Sequence, residues 1–214
     1  MAQLISWLGK FQSGEIDLVL GSASQPRRAI MSQLGIPFRV EVSDFAEDLD
    51  IRSFENDFTE YPLATAREKS QDILSKLGAV PRPTVLVTCD TVVLKDGKRI
   101  IEKPVDAEHA RNMLMQLRGC VHAVVTGVSI SLVGNGIMER SEFISVSHVK
   151  FAELSDHIIE AYVASGEPIN KAGSYGIQGL GELLVEQVTG SYTNIVGLPL
   201  RDVALHIATL LERV

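Results

Sequence analysis

The sequence predicts an α/β fold built on a mixed β-sheet with flanking helices, and three observations carry that prediction. Short β-rich runs alternate with helical patterns along the chain. Two long strand-like runs, 121–133 and 137–151, are separated only by Gly134-Asn135-Gly136, the mark of an antiparallel hairpin. A third run, Val85 to Val93 (VLVTCDTVV), is rich in β-branched residues and reads as a buried strand at the centre of the molecule. A long hairpin inside an otherwise alternating chain makes the sheet mixed and not wholly parallel.

The elements follow in order. Leu4, Ile5, Trp7, Leu8 and Phe11 are spaced along one face of a short helix, and residues 1–14 read as an N-terminal extension of a single domain spanning 1–214. Ile16–Gly21 reads as a strand. Ala29, Ile30, Met31 and Leu34 then form one helical face, which stops at Gly35. Pro37–Ser43 alternates Phe38, Val40 and Val42 with polar residues, the pattern of a half-buried strand. The acidic stretch 44–60 lacks clear periodicity and is expected to be an irregular loop. Leu63–Leu77 is a helix with Ala66, Ile73, Leu74 and Leu77 inward, ended by Gly78 and Pro81-Arg82-Pro83.

The central run breaks at Thr88-Cys89-Asp90-Thr91, so Asp90 is expected at a strand end facing a cleft. Asp96-Gly97 is a hairpin turn into Arg99–Ile101, which Glu102-Lys103-Pro104 closes. A helix over 106–117 and the long hairpin follow. Ser155 is the N-cap of a helix to Ala164. A Gly-rich stretch, a strand over 183–188, a TGSYTN turn and a helix over 200–211 complete the chain.

The composition narrows the function classes. Of 214 residues, 45% are hydrophobic and 22% charged, which suits a globular protein with a sizeable core. Twenty basic against 27 acidic residues give a net charge of −7, which argues against a nucleic-acid polymer as partner but not against a single nucleotide. Cys89 and Cys120 make no disulfide framework and no CxxC metal motif, so a reducing compartment, the cytoplasm, is expected. No run approaches the roughly 20 apolar residues of a membrane span, and the N-terminus lacks the pattern of a signal peptide.

Several clusters carry chemistry. In Gly21–Arg28 (GSASQPRR) a strand runs through hydroxyl residues into a helix. Such a helix N-terminus attracts anions, with Ser22 and Ser24 as donors and Arg27 and Arg28 as charges that suit phosphate. Glu47 and Asp90 supply two carboxylates, and Lys69, Lys103 and Lys171 supply cations. Two acids beside phosphate-binding groups are what a Mg²⁺-dependent phosphoryl or nucleotidyl hydrolase needs. Lys171–Gly181 (KAGSYGIQGLG) holds four glycines in eleven residues, a loop costly to order unless its backbone must come close to something. Within it, Gln178 could read a base edge. Neither GxGxxG after a strand nor a P-loop is present. Taken singly, each cluster also has a plain reading: a Ser N-cap beside solvated arginines, a loop acid, surface lysines, a structural turn at 190–199. The five histidines are scattered and read as structural.

Taken in order, SASxxR, Glu47, CDTVV, EKP, KAGSYGIQGLG and GSYTNIVGLPL resemble the Maf family of nucleoside triphosphate pyrophosphatases over nearly the whole chain, from about Leu18 to Leu200. The resemblance implies two lobes around a central cleft, similar to the inosine-triphosphate pyrophosphatase group, and a homodimer. It implies hydrolysis of a nucleoside triphosphate to the monophosphate and pyrophosphate with Mg²⁺ or Mn²⁺. Carried over, Asp90 matches the general base, and Asp90, Glu47 and Lys103 form the catalytic set. The resemblance also implies Glu47 and Asp90 as metal ligands. Ser22, Ser24, Arg27, Arg28, Lys69, Thr91, Lys171 and Gln178 contact substrate. Thr91 and Gln178 resemble the branch acting on dTTP and UTP. Two positions depart from the family pattern: Pro26 stands where that branch places a specificity arginine, and Glu102 replaces the Gly of G-K-P. A nucleotide-binding regulator with little catalysis, or a phosphoryl transferase, would use the same groups.

Overall fold

In the computed structural model, which describes residues 7–78 and 80–213, the run Val85–Val93 lies inside one continuous strand, β3 (Thr84–Lys95). The expected strand end at Thr88–Thr91 is therefore corrected: Asp90 sits mid-strand. Polar residues are tolerated there because alternate side chains face different layers and find partners. Thr88 Oγ1 donates to the Ala66 carbonyl at 2.7 Å, and the Thr91 and Thr126 hydroxyls lie 2.9 Å apart.

Three strands flank β3, and their spacing opens the sheet at Asp90. On one side, β5 (Val121–Gly134) runs antiparallel along all twelve residues. On the other, β1 (Asp17–Gly21) pairs in parallel with Thr84–Thr88 only. β4 (Arg99–Ile101) pairs antiparallel with Val93–Lys95. Among the described residues no strand pairs that edge at Cys89–Val92, and Asp90 lies in this gap. The sheet is completed by β2 (Arg39–Val40) beside β1, β6 (Ile137–Phe151) beside β5 and β7 (Val185–Thr189) beside β6, in the order β2-β1-β3-β5-β6-β7. The β5–β6 hairpin turns through Asn135 (φ 53°) and Gly136 (φ 80°), the left-handed pair that a two-residue turn requires.

Among the described residues seven helices flank this mixed sheet: α1 (Leu8–Gln12), α2 (Gln25–Ser32), α3 (Glu60–Leu77), α4 (Ala107–Leu117), α5 (Asp156–Ala164), α6 (Tyr192–Val196) and α7 (Leu200–Leu211). Ser155 caps α5 as expected, accepting from the Ile158 amide, and Asp106, expected inside its helix, proves to be the cap of α4, accepting from the His109 amide. One face of the sheet buries two apolar clusters. The first joins Leu18, Leu20, Val87, Ile130 and Phe11 to Val203 and Ile207 of α7. The second joins Val93, Val124 and Phe151 to Leu114 of α4 and Ile159 of α5. Helix α3 covers the opposite face, with Tyr61 against Val92 and Val125, and Ile73 against Val19 and Leu86.

Of Pro37–Ser43 only Arg39 and Val40 pair, as an edge strand, and Val42 is 53% exposed. The predicted strand at 183 begins at Val185, because Leu180–Leu184 winds into a tight 3₁₀ turn. The TGSYTN turn holds the short helix α6, capped by Ser191. The loop expected over 44–60 is irregular apart from a 3₁₀ turn at Ile51–Phe54, and α3 begins at Glu60, three residues before the expected Leu63. Trp7 and Phe11 are buried, whereas Leu4 and Ile5 lie outside the described residues. Among the described residues no helix is long and apolar enough to cross a membrane.

Candidate active site

The gap in the sheet is the floor of a cleft of about 670 Å³. Its walls come from the β1–α2 turn, the segment around Val42–Glu47, Lys69 of α3, Lys103 after β4, the 169–178 loop and Ile195–Gly197. Asp90 and Arg27, 63 positions apart in sequence, line the same hollow.

Lys69 is the junction of the acidic side. It is 7% exposed, and its ammonium lies 3.0 Å from Asp90 Oδ1 and 2.8 Å from Glu47 Oε1. The helix brings it there because α3 lies flat on β5. Gly127, the cross-strand partner of Asp90, has no side chain to hold the helix off. A Cβ at Gly127 would stand 2.2 Å from the Leu63 amide nitrogen. Below it, the Thr88 hydroxyl grips the Ala66 carbonyl and the Ser70 and Ser131 hydroxyls meet at 3.2 Å. One buried ammonium thus offsets the repulsion between two carboxylates. Partial burial pushes the Glu47 carboxyl up, but the Lys69 hydrogen bond and the charges of Lys69, Lys103 and Arg27 outweigh it, so its pKa lies below the ordinary value. Glu47 occupies a left-handed conformation (φ 55°), a strained setting that turns up at functional sites.

Arg27 organises the other side. Ser24 caps α2, its hydroxyl accepting from the Arg27 amide. The Arg27 guanidinium is half-buried and held by protein acceptors. Its Nε donates to the Gly197 carbonyl at 2.9 Å, Nη2 to Thr91 Oγ1 at 3.0 Å and Nη1 to Ser22 Oγ at 3.3 Å. The arginine thereby ties the β1–α2 turn to β3 and to the segment before α7. Gly197 was read from sequence as part of a structural turn. Its carbonyl also helps to aim Arg27, a role that its place in the GSYTNIVGLPL motif does not by itself reveal.

Ser22, Ser24, Arg27, Glu47, Lys69, Asp90, Thr91, Lys103, Lys171 and Gln178 all line the cleft, and Arg28 does not. Pro26, at the departure from the family pattern, lines it too. Four cations (Arg27, Lys69, Lys103, Lys171) against two carboxylates leave the lining at +2, in a chain whose net charge is −7. Such a cleft suits a polyanion. Among the described residues no group of three or more His, Cys, Asp or Glu could hold a metal by itself. Two carboxylates in one cleft do fit a hard cation that keeps waters and shares phosphate oxygens.

A mixed sheet that opens onto a cationic cleft with a lysine-bridged acid pair defines an α/β protein built to handle phosphate. The chain belongs to the Maf family: the family model described as Maf-like protein matches residues 17–210. It is 43% identical over 184 residues to a dTTP/UTP pyrophosphatase of Pyrococcus furiosus, covering 86% of this chain and 90% of that protein. It is 41% identical over 195 residues to a nucleoside triphosphate pyrophosphatase of Xylella fastidiosa, covering 91% and 99%. It is also 42% identical over 199 residues to a human protein named probable bifunctional dTTP/UTP pyrophosphatase/methyltransferase. That match covers 90% of this chain and 32% of the human one.

Proposed function

We propose that the cleft binds a nucleoside triphosphate and that the protein hydrolyses it to the monophosphate and pyrophosphate. The observation that supports this most is the convergence of Asp90, Glu47 and four cations on one hollow in an acidic protein. Arg27, Lys69, Lys103 and Lys171 neutralise the triphosphate, and their fixed positions favour the charge that gathers on the leaving pyrophosphate. Lys69 holds Asp90 through Oδ1. Oδ2 then accepts the proton of a water that attacks the α-phosphorus as the α–β anhydride breaks. Glu47 and Asp90 would hold a divalent cation, Mg²⁺ or Mn²⁺, which supplies an acidified water and further charge neutralisation.

The names of the relatives favour dTTP or UTP as substrate. Thr91 and Gln178, both at the cleft, match that branch. A homodimer, a cytoplasmic location and the absence of a nucleic-acid partner belong to the same reading. The test is pyrophosphate release from a panel of canonical and modified nucleotides with Mg²⁺ or Mn²⁺. The account predicts pyrophosphate, with a pyrimidine triphosphate as the fastest substrate. Orthophosphate as the product would make it a phosphoryl transferase, and tight binding without turnover would make it a regulator.

A further inference from the structure

We propose that Glu167, which does not itself line the cleft, is a positioning residue that aims Gln178 into it; the inference rests on the cleft being the nucleotide site. Gln178 is exposed, and among the described residues its side chain has no protein hydrogen-bond partner, so within the protein its placement at the cleft depends on its backbone. That backbone is rich in glycine and needs an outside anchor. The Glu167 carboxylate provides it. Its Oε2 accepts from the Leu180 amide at 3.0 Å and its Oε1 from the Gly181 amide at 3.2 Å.

Tyr162 completes the clasp. Its hydroxyl donates to Glu167 Oε1 at 3.1 Å and accepts from the Gly176 amide at 3.3 Å. The Glu167 backbone carbonyl accepts from Lys171 Nζ at 2.5 Å, which ties the other end of the loop. Residues 176 and 181 are drawn so close that a Cβ on Gly181 would stand 2.2 Å from the Gly176 carbonyl oxygen. Gln178 is left at the tip of a closed loop. At Gly179 (φ 98°) a Cβ would meet Glu167 Oε2 at 3.0 Å, so the carboxylate fits tightly under the turn. Hydrogen bonds from amides to a carboxylate are stronger than neutral ones, so two of them offset much of the ordering cost.

The test is a double-mutant cycle on the full chain with Glu167→Ala, Gln178→Ala and the pair, measured on dTTP and UTP. Glu167→Ala is expected to raise KM about tenfold with kcat changed less than threefold, and to add nothing in the Gln178→Ala background. Additive effects, or a fall in kcat alone, would overturn the assignment. Tyr162→Phe removes one member of the clasp and should show a smaller rise in KM with the same non-additivity. Amide exchange at Leu180 and Gly181, measured without nucleotide, separates this inference from the functional reading. Faster exchange confined to that loop in Glu167→Ala supports the clasp, and unchanged exchange refutes it whatever the turnover. Lack of any hydrolysis by the unaltered protein would instead refute the functional reading.

Discussion

Gly127→Ala tests whether Lys69 is placed by a missing side chain. The new Cβ would stand 2.2 Å from Leu63 N, 2.3 Å from Leu63 Cα and 2.5 Å from Pro62 C. All three are backbone atoms, so no rotamer change relieves the clash. Ordinary contact begins at 3.4 Å, so the helix must retreat by at least 1.2 Å (3.4 less 2.2) at its closest point. Lys69 lies six residues further along the same helix, about 9 Å away, and moves with it. Its contacts to Asp90 and Glu47, at 3.0 and 2.8 Å, then lengthen towards the limit of a hydrogen bond. A displacement of ~1 Å costs a catalytic constellation up to roughly 100-fold, so kcat should fall about 10- to 100-fold. Overpacking should also remove about 1–3 kcal/mol of stability, and each kcal/mol lowers the melting temperature of a chain this size by about 2–4 °C. Steady-state pyrophosphate release, assayed well below the melting transition, measures the first effect, and a thermal melt measures the second. Gly9→Ala is the control, since nothing lies within 4 Å of its Cβ. A Gly127→Ala protein with kcat within twofold of the parent would refute the claim that the flat seating of α3 positions Lys69.

Other outcomes follow from the same geometry. Asp90→Asn should lower kcat by roughly 10²–10⁴-fold while nucleotide binding, read by calorimetry, changes little; near-normal turnover would remove Asp90 from the reaction. Arg27→Ala should raise KM strongly, because it removes a charge and also the tie among Ser22, Thr91 and Gly197. An unchanged KM would reduce this segment to a helix cap. His122 is buried, with its Nε2 2.8 Å from the Tyr175 hydroxyl, and burial, with a smaller effect from His148, lowers its pKa from 6.5 to about 4. The unfolded chain therefore takes up a proton near pH 6.5 that the folded chain refuses until about 4. Stability should fall as pH drops through that window, by on the order of 3 kcal/mol in total. His122→Gln should flatten this part of the stability profile; an unaltered slope would assign the loss to other groups.

The parts of the fold that sequence exposed were those set by local pattern. The β5–β6 hairpin was visible because Asn135-Gly136 leaves little other choice, and α7 because its apolar stripe runs from Leu200 to Leu211. Ser155 announced its helix as a cap. The break at Thr88–Thr91 misled, because one apolar run was expected on a strand whose polar residues face α3 on one side and the Arg27 clamp on the other. α6 spans five residues, too few for a periodicity to appear. The site divides in the same way. Asp90, Arg27 and the Gly-rich loop stood out as clusters, but their meeting depends on contacts dozens of residues apart. Gly127 and Glu167 carry no local signal, since their work is to let a helix approach and to tie a loop; Gly197 lies in a motif that does not show its carbonyl is what matters.

The central claim is that Asp90 and the cations across the gap in the sheet direct water onto the α-phosphorus of a nucleoside triphosphate. Hydrolysis of dTTP or UTP in ¹⁸O-labelled water, followed by mass spectrometry of the products, tests it directly. The account predicts unlabelled pyrophosphate and one ¹⁸O in the monophosphate, with both signals lost in Asp90→Asn. Label in the pyrophosphate, or in released orthophosphate, would contradict it.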